Sequence, residues 1–129
     1  MIIGIGTDIV QVSRVEQALR QSGEAFAQRI LTNEEMQDYK KSKRGIAFLA
    51  KRFAIKEAIS KALGTGIGRG VSFHHMNIEH DDKGKPVVVL SGGALERLTS
   101  IGGGQCLISI ADEVDYATAF AVIDSVNNS

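Results

Sequence analysis

The stretch from Phe48 to Gly68, FLAKRFAIKEAISKALGTGIG, constrains this chain most. It predicts one long helix, beginning near Ile46, that runs into a loop carrying Gly64, Gly66 and Gly68. At about 3.6 residues per turn, Phe48, Ile55, Ile59 and Ala62 share one face, with Leu63 at its edge. Phe53, Glu57, Ser60 and Lys61 lie opposite. Glu57 and Lys61 are four apart, so the plain reading is a surface ion pair. Phe53 argues against it, because an aromatic ring on that side predicts a covered face. A helix covered on both sides places Glu57 in a wall.

Charge is balanced over the 129 residues but unevenly placed. Between Lys40 and Arg69 there are nine bases, and Glu57 is the only acid. Such a field attracts phosphates or an acidic protein, unless it is simply a solvated helix face. The basic stretch has no interleaved aromatics and the chain has no zinc-ligand spacing, which argues against nucleic acid. Aromatics are 5% of the chain and Trp is absent, so the core is expected to be aliphatic. Cys106 stands alone in an apolar run, which excludes a disulfide framework and predicts a core residue. No apolar run approaches membrane length and no amino-terminal signal is present, so a cytoplasmic protein is expected.

Around the helix, Met1 to Val12 reads as a strand in which Gly4 and Gly6 allow close backbone approach. Asp8 sits in that apolar segment, either exposed at its end or paired with a cation. Ser13 with Glu16, and Thr32 with Glu35, have the form of capping boxes. They predict helices to about Ser22 and Tyr39, with a short helix over Ala25 to Ile30 between them. A hairpin follows, with strands Met76 to His80 and Val87 to Leu90 about the turn DDKGKP. Ala94 to Ser100 is a short helix. Gln105 to Ala111 and Tyr116 to Ile123 are the last strands, and Asn127 to Ser129 a frayed tail. Neither face of the final strand is charged, so both are expected to be covered, which suggests an oligomer. His74, His75 and His80 have no metal-ligand spacing and are expected to be exposed. No repeat or linker divides the chain, so residues 1–129 are expected to form a single domain.

Magnesium sites use one or two carboxylates, completed by waters and phosphate oxygens. Asp8 and Glu57 are the best pair here. Lys61 could reach a phosphate oxygen, and Arg52, Lys56 and the Lys43–Arg44 pair could hold others. The residues alone therefore predict Mg²⁺-dependent chemistry at a phosphate ester, which would include a phosphohydrolase.

These same residues resemble the holo-acyl-carrier-protein synthases of the 4′-phosphopantetheinyl transferase superfamily. GIGTDIVQVSR is similar to the family's G-I-G-x-D-I followed by a helix with Arg. RFAIKEAISKALGTGIG resembles R-F-x-x-K-E-A-x-x-K-A-x-G-T-G-I-G. SFHHMNIEHDDKGKPVV and SIADEVDYATAFAVI are similar to its strand–turn–strand and closing hairpin. The resemblance implies an α+β fold, with a small antiparallel sheet packed on a long helix, and a homotrimer with sites between subunits. It implies transfer of the phosphopantetheine arm of coenzyme A to a serine of an acyl carrier protein, in fatty acid biosynthesis. By motif position, Asp8 and Glu57 would ligate Mg²⁺ and Lys61 would contact the diphosphate. Lys43, Arg44, Arg52, Gly64, Gly66, Gly68 and Ser109 would help hold coenzyme A. Arg14, at a helix start where a cation opposes the helix dipole, would face the acidic carrier protein. Glu57, Asp8 and a metal-bound water are all candidates to take the serine proton. One departure stands out: where the family often reads S-I-(S/T)-H, this chain has Ser109-Ile110-Ala111-Asp112. An acid there opposes phosphate, so a binding module that has lost catalysis is the alternative.

Overall fold

The computed structural model describes residues 1–126. In chain order the elements are β1 (Ile2–Gln11), α1 (Val12–Ser22), α2 (Glu24–Ile30), α3 (Asn33–Lys41) and α4 (Gly45–Ala62). A 3₁₀ turn (Phe73–His75), β2 (Met76–His80), β3 (Pro86–Leu90), α5 (Gly92–Ser100), β4 (Gly103–Asp112) and β5 (Tyr116–Ser125) follow. The fold is α+β. The first and last strands pair, giving an antiparallel sheet ordered β1-β5-β4, and β2 and β3 form a separate hairpin. The tail beyond Val126 lies outside the described residues.

Alternation along the strands decides which face meets α4. Gly6, Asp8 and Val10 stand opposite Ala121, Ala119 and Ala117. The three alanines are buried. A side chain on Gly6 would run into the backbone of Ala58 and Ala62, and one on Gly4 into the carbonyl of Ala62. The two glycines therefore let α4 lie directly on β1, with Ala54, Ala58 and Ala62 as its own small-residue stripe.

The helix is buried nearly all round. Ile55, Ile59 and Arg52 are buried on one side, and Leu49, Lys56 and Ser60 are buried about a quarter-turn round from it. The two-faced reading of the sequence undercounts this coverage, because α1, α2 and α3 also pack on α4. Phe53 is covered as expected, its ring 6.3 Å from that of Phe26 and 5.8 Å from that of Phe73.

The Thr32–Glu35 capping box is present in both directions. The one expected at Ser13 and Glu16 is absent: α1 begins at Val12 and its N-cap, Gln11, makes no side-chain bond. Strand pairing explains this. Gln11 is still in register with Tyr116, and the Val12 amide donates to the Asp115 carbonyl at 2.8 Å, so the chain enters α1 already anchored. Glu16 pairs instead with Arg20, one turn on.

The far face of the sheet is open. Ile5, Ile9, Tyr116 and Phe120 are between 45% and 63% exposed there. The expectation of two covered faces on β5 therefore fails for one chain, since α4 covers only the alanine side. Cys106 is half-buried, and burial pushes its thiol pKa up to about 11, which fits an inert thiol. His75 is also half-buried, its Nδ1 accepting from the Ser72 amide at 3.1 Å, whereas His74 and His80 are exposed.

Candidate active site

Asp8 is delivered by β1 at the point where the glycines have brought the strand against α4. Lys61 crosses to it from the last turn of the helix. Its ammonium donates to Asp8 Oδ1 at 3.1 Å and to the Thr7 carbonyl at 3.0 Å. Glu57, one turn earlier on α4, faces the same cluster. Burial raises its pKa above the ordinary carboxylate value, the Asp8 charge raises it further, and Lys61 partly offsets both. Among the described residues no group donates a hydrogen bond to the Glu57 carboxylate.

Glu57 lies between two hollows. One, of about 400 Å³, is lined by Asp8, Val10, Arg14, Val15, Phe53 and Glu57. The other, of about 530 Å³, is lined by Arg29, Glu57, Ile67, Gly68, Phe73 and His74 among others. Arg14 thus belongs to the Asp8–Glu57 cluster, although it comes from α1. Arg29 was not singled out in the sequence. It ends a short helix and sits 5.8 Å over the Phe26 ring, and nothing in FAQRI separates it from an ordinary surface base.

The donor set suits a hard divalent cation. Two carboxylates converge, one of them unsatisfied and pressed toward its neutral form by burial and then by the other. No group of three or more His, Cys, Asp or Glu able to hold a metal exists among the described residues. A cation here would complete its shell with water and ligand oxygens, which is the habit of magnesium.

Other residues lie elsewhere. Lys56 is fully buried, bonded to Glu35 Oε1 at 2.5 Å and to the carbonyls of Ile30 and Phe73 at 2.7 and 3.2 Å. It holds no surface phosphate, because its three donors are already used. Arg52 is 4% exposed, with Nε 3.5 Å from Glu35 Oε2 and its guanidinium over the Phe48 ring at 4.4 Å. Among the described residues its terminal nitrogens donate no hydrogen bond, so the expected coenzyme A contact would fall to them and not to Nε. The amides of Thr65 and Gly66 turn back onto the Ser60 carbonyl, and that of Gly64 onto Lys61. Those N–H groups cap α4, and the Gly68 amide donates to the Val71 carbonyl at 2.8 Å, so Gly68, with a φ of +115°, lines the larger hollow through its bare Cα and not through a free amide.

Lys43 and Arg44 are exposed just before α4. The helix rise puts them about 20 Å from Glu57 along its axis. Ser109 is opposite Phe120 on the open face of the sheet, whereas Asp8 is opposite Ala119 on the helix face. One chain therefore does not bring Ser109, Lys43 and Arg44 to Asp8 and Glu57. Asp112 is exposed at the end of β4, in a hollow with Ile9, Glu113 and Tyr116.

Comparison with known proteins finds relatives over nearly the whole chain. The chain is 52% identical over 124 residues to the holo-[acyl-carrier-protein] synthase of Vibrio cholerae, covering 96% of this chain and 98% of that one. The crystal structure of the Neisseria meningitidis holo-[acyl-carrier-protein] synthase superposes with a TM-score of 0.92 at 42% identity, over 97% and 100% of the two chains. That of the Bacillus anthracis synthase, in complex with CoA (3′,5′-ADP), gives 0.82 at 39% identity, over 98% and 99%. The family model described as the 4′-phosphopantetheinyl transferase superfamily matches residues 4–121, and the chain belongs to that family.

Proposed function

We propose that this chain is an enzyme that transfers the 4′-phosphopantetheine arm of coenzyme A to a serine of an apo acyl carrier protein. The products are the holo carrier protein and adenosine 3′,5′-bisphosphate. The observation that carries this reading is the placement of Glu57, one carboxylate bordering two hollows, beside Asp8 and Lys61. A two-substrate transfer needs such a centre. The carrier serine enters from the Arg14 side, where a cation suits an acidic partner. The coenzyme A diphosphate enters from the Gly68 side.

Asp8 and Glu57 would hold Mg²⁺, which when bound would polarise the phosphoryl oxygens and neutralise charge on the diphosphate. Lys61 is half exposed and leaves Asp8 to bind a diphosphate oxygen. The serine oxygen forms a bond to the β-phosphorus as the bond to the bridging oxygen breaks, the electron pair leaves on adenosine 3′,5′-bisphosphate, and the serine proton passes to the Asp8–Glu57 carboxylates or through water to solvent. The chain contributes orientation and charge, which is most of what phosphoryl-type transfer asks of a protein.

The chain acts as one domain of 129 residues and as a homotrimer. The apolar open face of the sheet supports the trimer, and so does the separation of Ser109, Lys43 and Arg44 from Glu57 within one chain. Residues from a neighbouring copy complete the coenzyme A site. No helix among the described residues is long and apolar enough to cross a membrane. That accords with work in the cytoplasm, in fatty acid biosynthesis. The decisive experiment is to incubate the protein with an apo carrier protein, coenzyme A and Mg²⁺ and to measure the intact mass of the carrier. A gain of one phosphopantetheine is expected. An unmodified carrier, or hydrolysed coenzyme A without adduct, would refute the assignment.

A further inference from the structure

Lys56, Glu35 and Arg52 form a buried cluster that the reaction does not use. Lys56 is 0% exposed, Glu35 1% and Arg52 4%. The cluster ties five segments together. The Lys56 ammonium, on α4, donates to the Ile30 carbonyl at the end of α2 and to the Phe73 carbonyl in the 3₁₀ turn. Glu35 accepts from Lys56, from the Thr32 amide at the start of α3, and from the Ile78 amide in β2 at 2.8 Å. Two of these segments are walls of the larger hollow. Arg29, which precedes Ile30, lines it from α2, Phe73 and His74 line it from the 3₁₀ turn, and Glu57 follows Lys56 in sequence. Both walls are thus pinned from behind by one ammonium.

We propose that Lys56 is a positioning residue that sets the width of the hollow beside Glu57 and thereby the affinity for the phosphopantetheine donor. The inference rests on the function proposed above. A purely structural ion pair would show itself only as stability, whereas a positioning residue acts selectively on one substrate.

The charges permit a clean test. Two bases share one acid, and Arg52 Nε has no hydrogen-bond partner although it is buried. Removing Lys56 leaves Arg52 and Glu35 as a balanced pair, so Lys56→Met strands no buried charge. The two wall carbonyls lose their common donor instead.

Coenzyme A is titrated calorimetrically into wild type, Lys56→Met and Lys56→Gln, each checked for a cooperative thermal melt. Steady-state KM is measured for both substrates. Expected is a dissociation constant for coenzyme A at least fivefold higher in a folded variant, a KM for the carrier protein changed by less than that factor, and rescue toward wild type in Lys56→Arg. A smaller change in coenzyme A affinity, or an equal rise for both substrates, would overturn the proposal. Failure of both Lys56→Met and Lys56→Gln to fold would also overturn it, because the cluster would then be a folding element alone. A wild-type protein that neither binds coenzyme A nor modifies the carrier would instead fail the proposed function, and take this inference with it.

Discussion

Replacing Gly6 by Ala tests whether the close approach of α4 to β1 builds the site. The added Cβ meets the Ala58 carbonyl and lies 2.7 Å from the Ala62 amide nitrogen. Both are helix backbone, so no side chain can rotate away. Overpacking of this kind costs about 1–3 kcal/mol. Alanine also narrows the unfolded ensemble, which offsets about 0.4–1 kcal/mol. Because the contact is with backbone, the upper end of that cost applies, and a net loss of roughly 2–2.6 kcal/mol lowers the melting temperature by about 6–10 °C for a domain of this size. The protein stays folded at 25 °C, since typical domain stabilities are about 5–15 kcal/mol. The helix can yield only by moving off the strand, and that motion parts Lys61 and Glu57 from Asp8. Displacement by about 1 Å at a reacting centre costs on the order of 100-fold in rate. The assay pairs a circular-dichroism melt with carrier modification followed by intact mass. Gly102→Ala is the control: nothing lies within 4 Å of its added Cβ, and its φ of +80° exacts only backbone strain. A Gly6→Ala protein that melts with wild type and modifies the carrier at the wild-type rate would refute the reasoning.

Three further outcomes are expected. Glu57→Gln abolishes transfer, yet in metal-free buffer at neutral pH it melts above wild type. The folded-state pKa of Glu57 is raised, so its protonated form favours the fold at low pH and that contribution is lost as pH rises through the folded value. Melts from pH 4 to 8 check this, and added Mg²⁺ should raise the melting temperature of wild type only. Arg14→Glu weakens association with the carrier protein and flattens its salt dependence, with coenzyme A binding unchanged, as surface plasmon resonance at two ionic strengths would record. Phe120→Glu, on the open face of the sheet, gives a monomer by light scattering and loses transfer at low protein concentration; an active monomer would refute the shared site.

Local signals in the sequence carried most of the fold. The hairpin over Met76–His80 and Pro86–Leu90, the box at Thr32 and Glu35, and α4 with its glycine stop all depend on neighbours in the chain. Asp8, Glu57 and Lys61 were legible as candidates from the chemistry of a two-carboxylate site, but Gly4 and Gly6 signalled only a close backbone approach, and that α4 makes it is visible only in the fold. What escaped was fixed by distant contacts. Lys56 and Arg52 look like the other bases of a basic stretch, and only Glu35, twenty-one residues before Lys56, makes them interior. Ser13 looked like a cap, but the pairing of Gln11 with Tyr116 across the whole chain made that cap unnecessary. Arg29 became part of a hollow only when α2 met the turn at Phe73.

Lys56 and Glu57 are consecutive residues of opposite charge, about 100° apart around α4. The slot that receives Lys56 is made entirely of oxygen: a carboxylate from Glu35 and carbonyls from Ile30 and Phe73. If α4 slipped by one residue so that Glu57 entered that slot, an acid would meet three acceptors and no donor. The seat of Lys56 therefore also fixes the rotation of α4 that presents Glu57. A molecule that has seated Lys56 has also turned Glu57 toward Asp8. An exchange of Lys56 and Glu57, which puts the acid into that slot, would accordingly be far more destabilising than Lys56→Met.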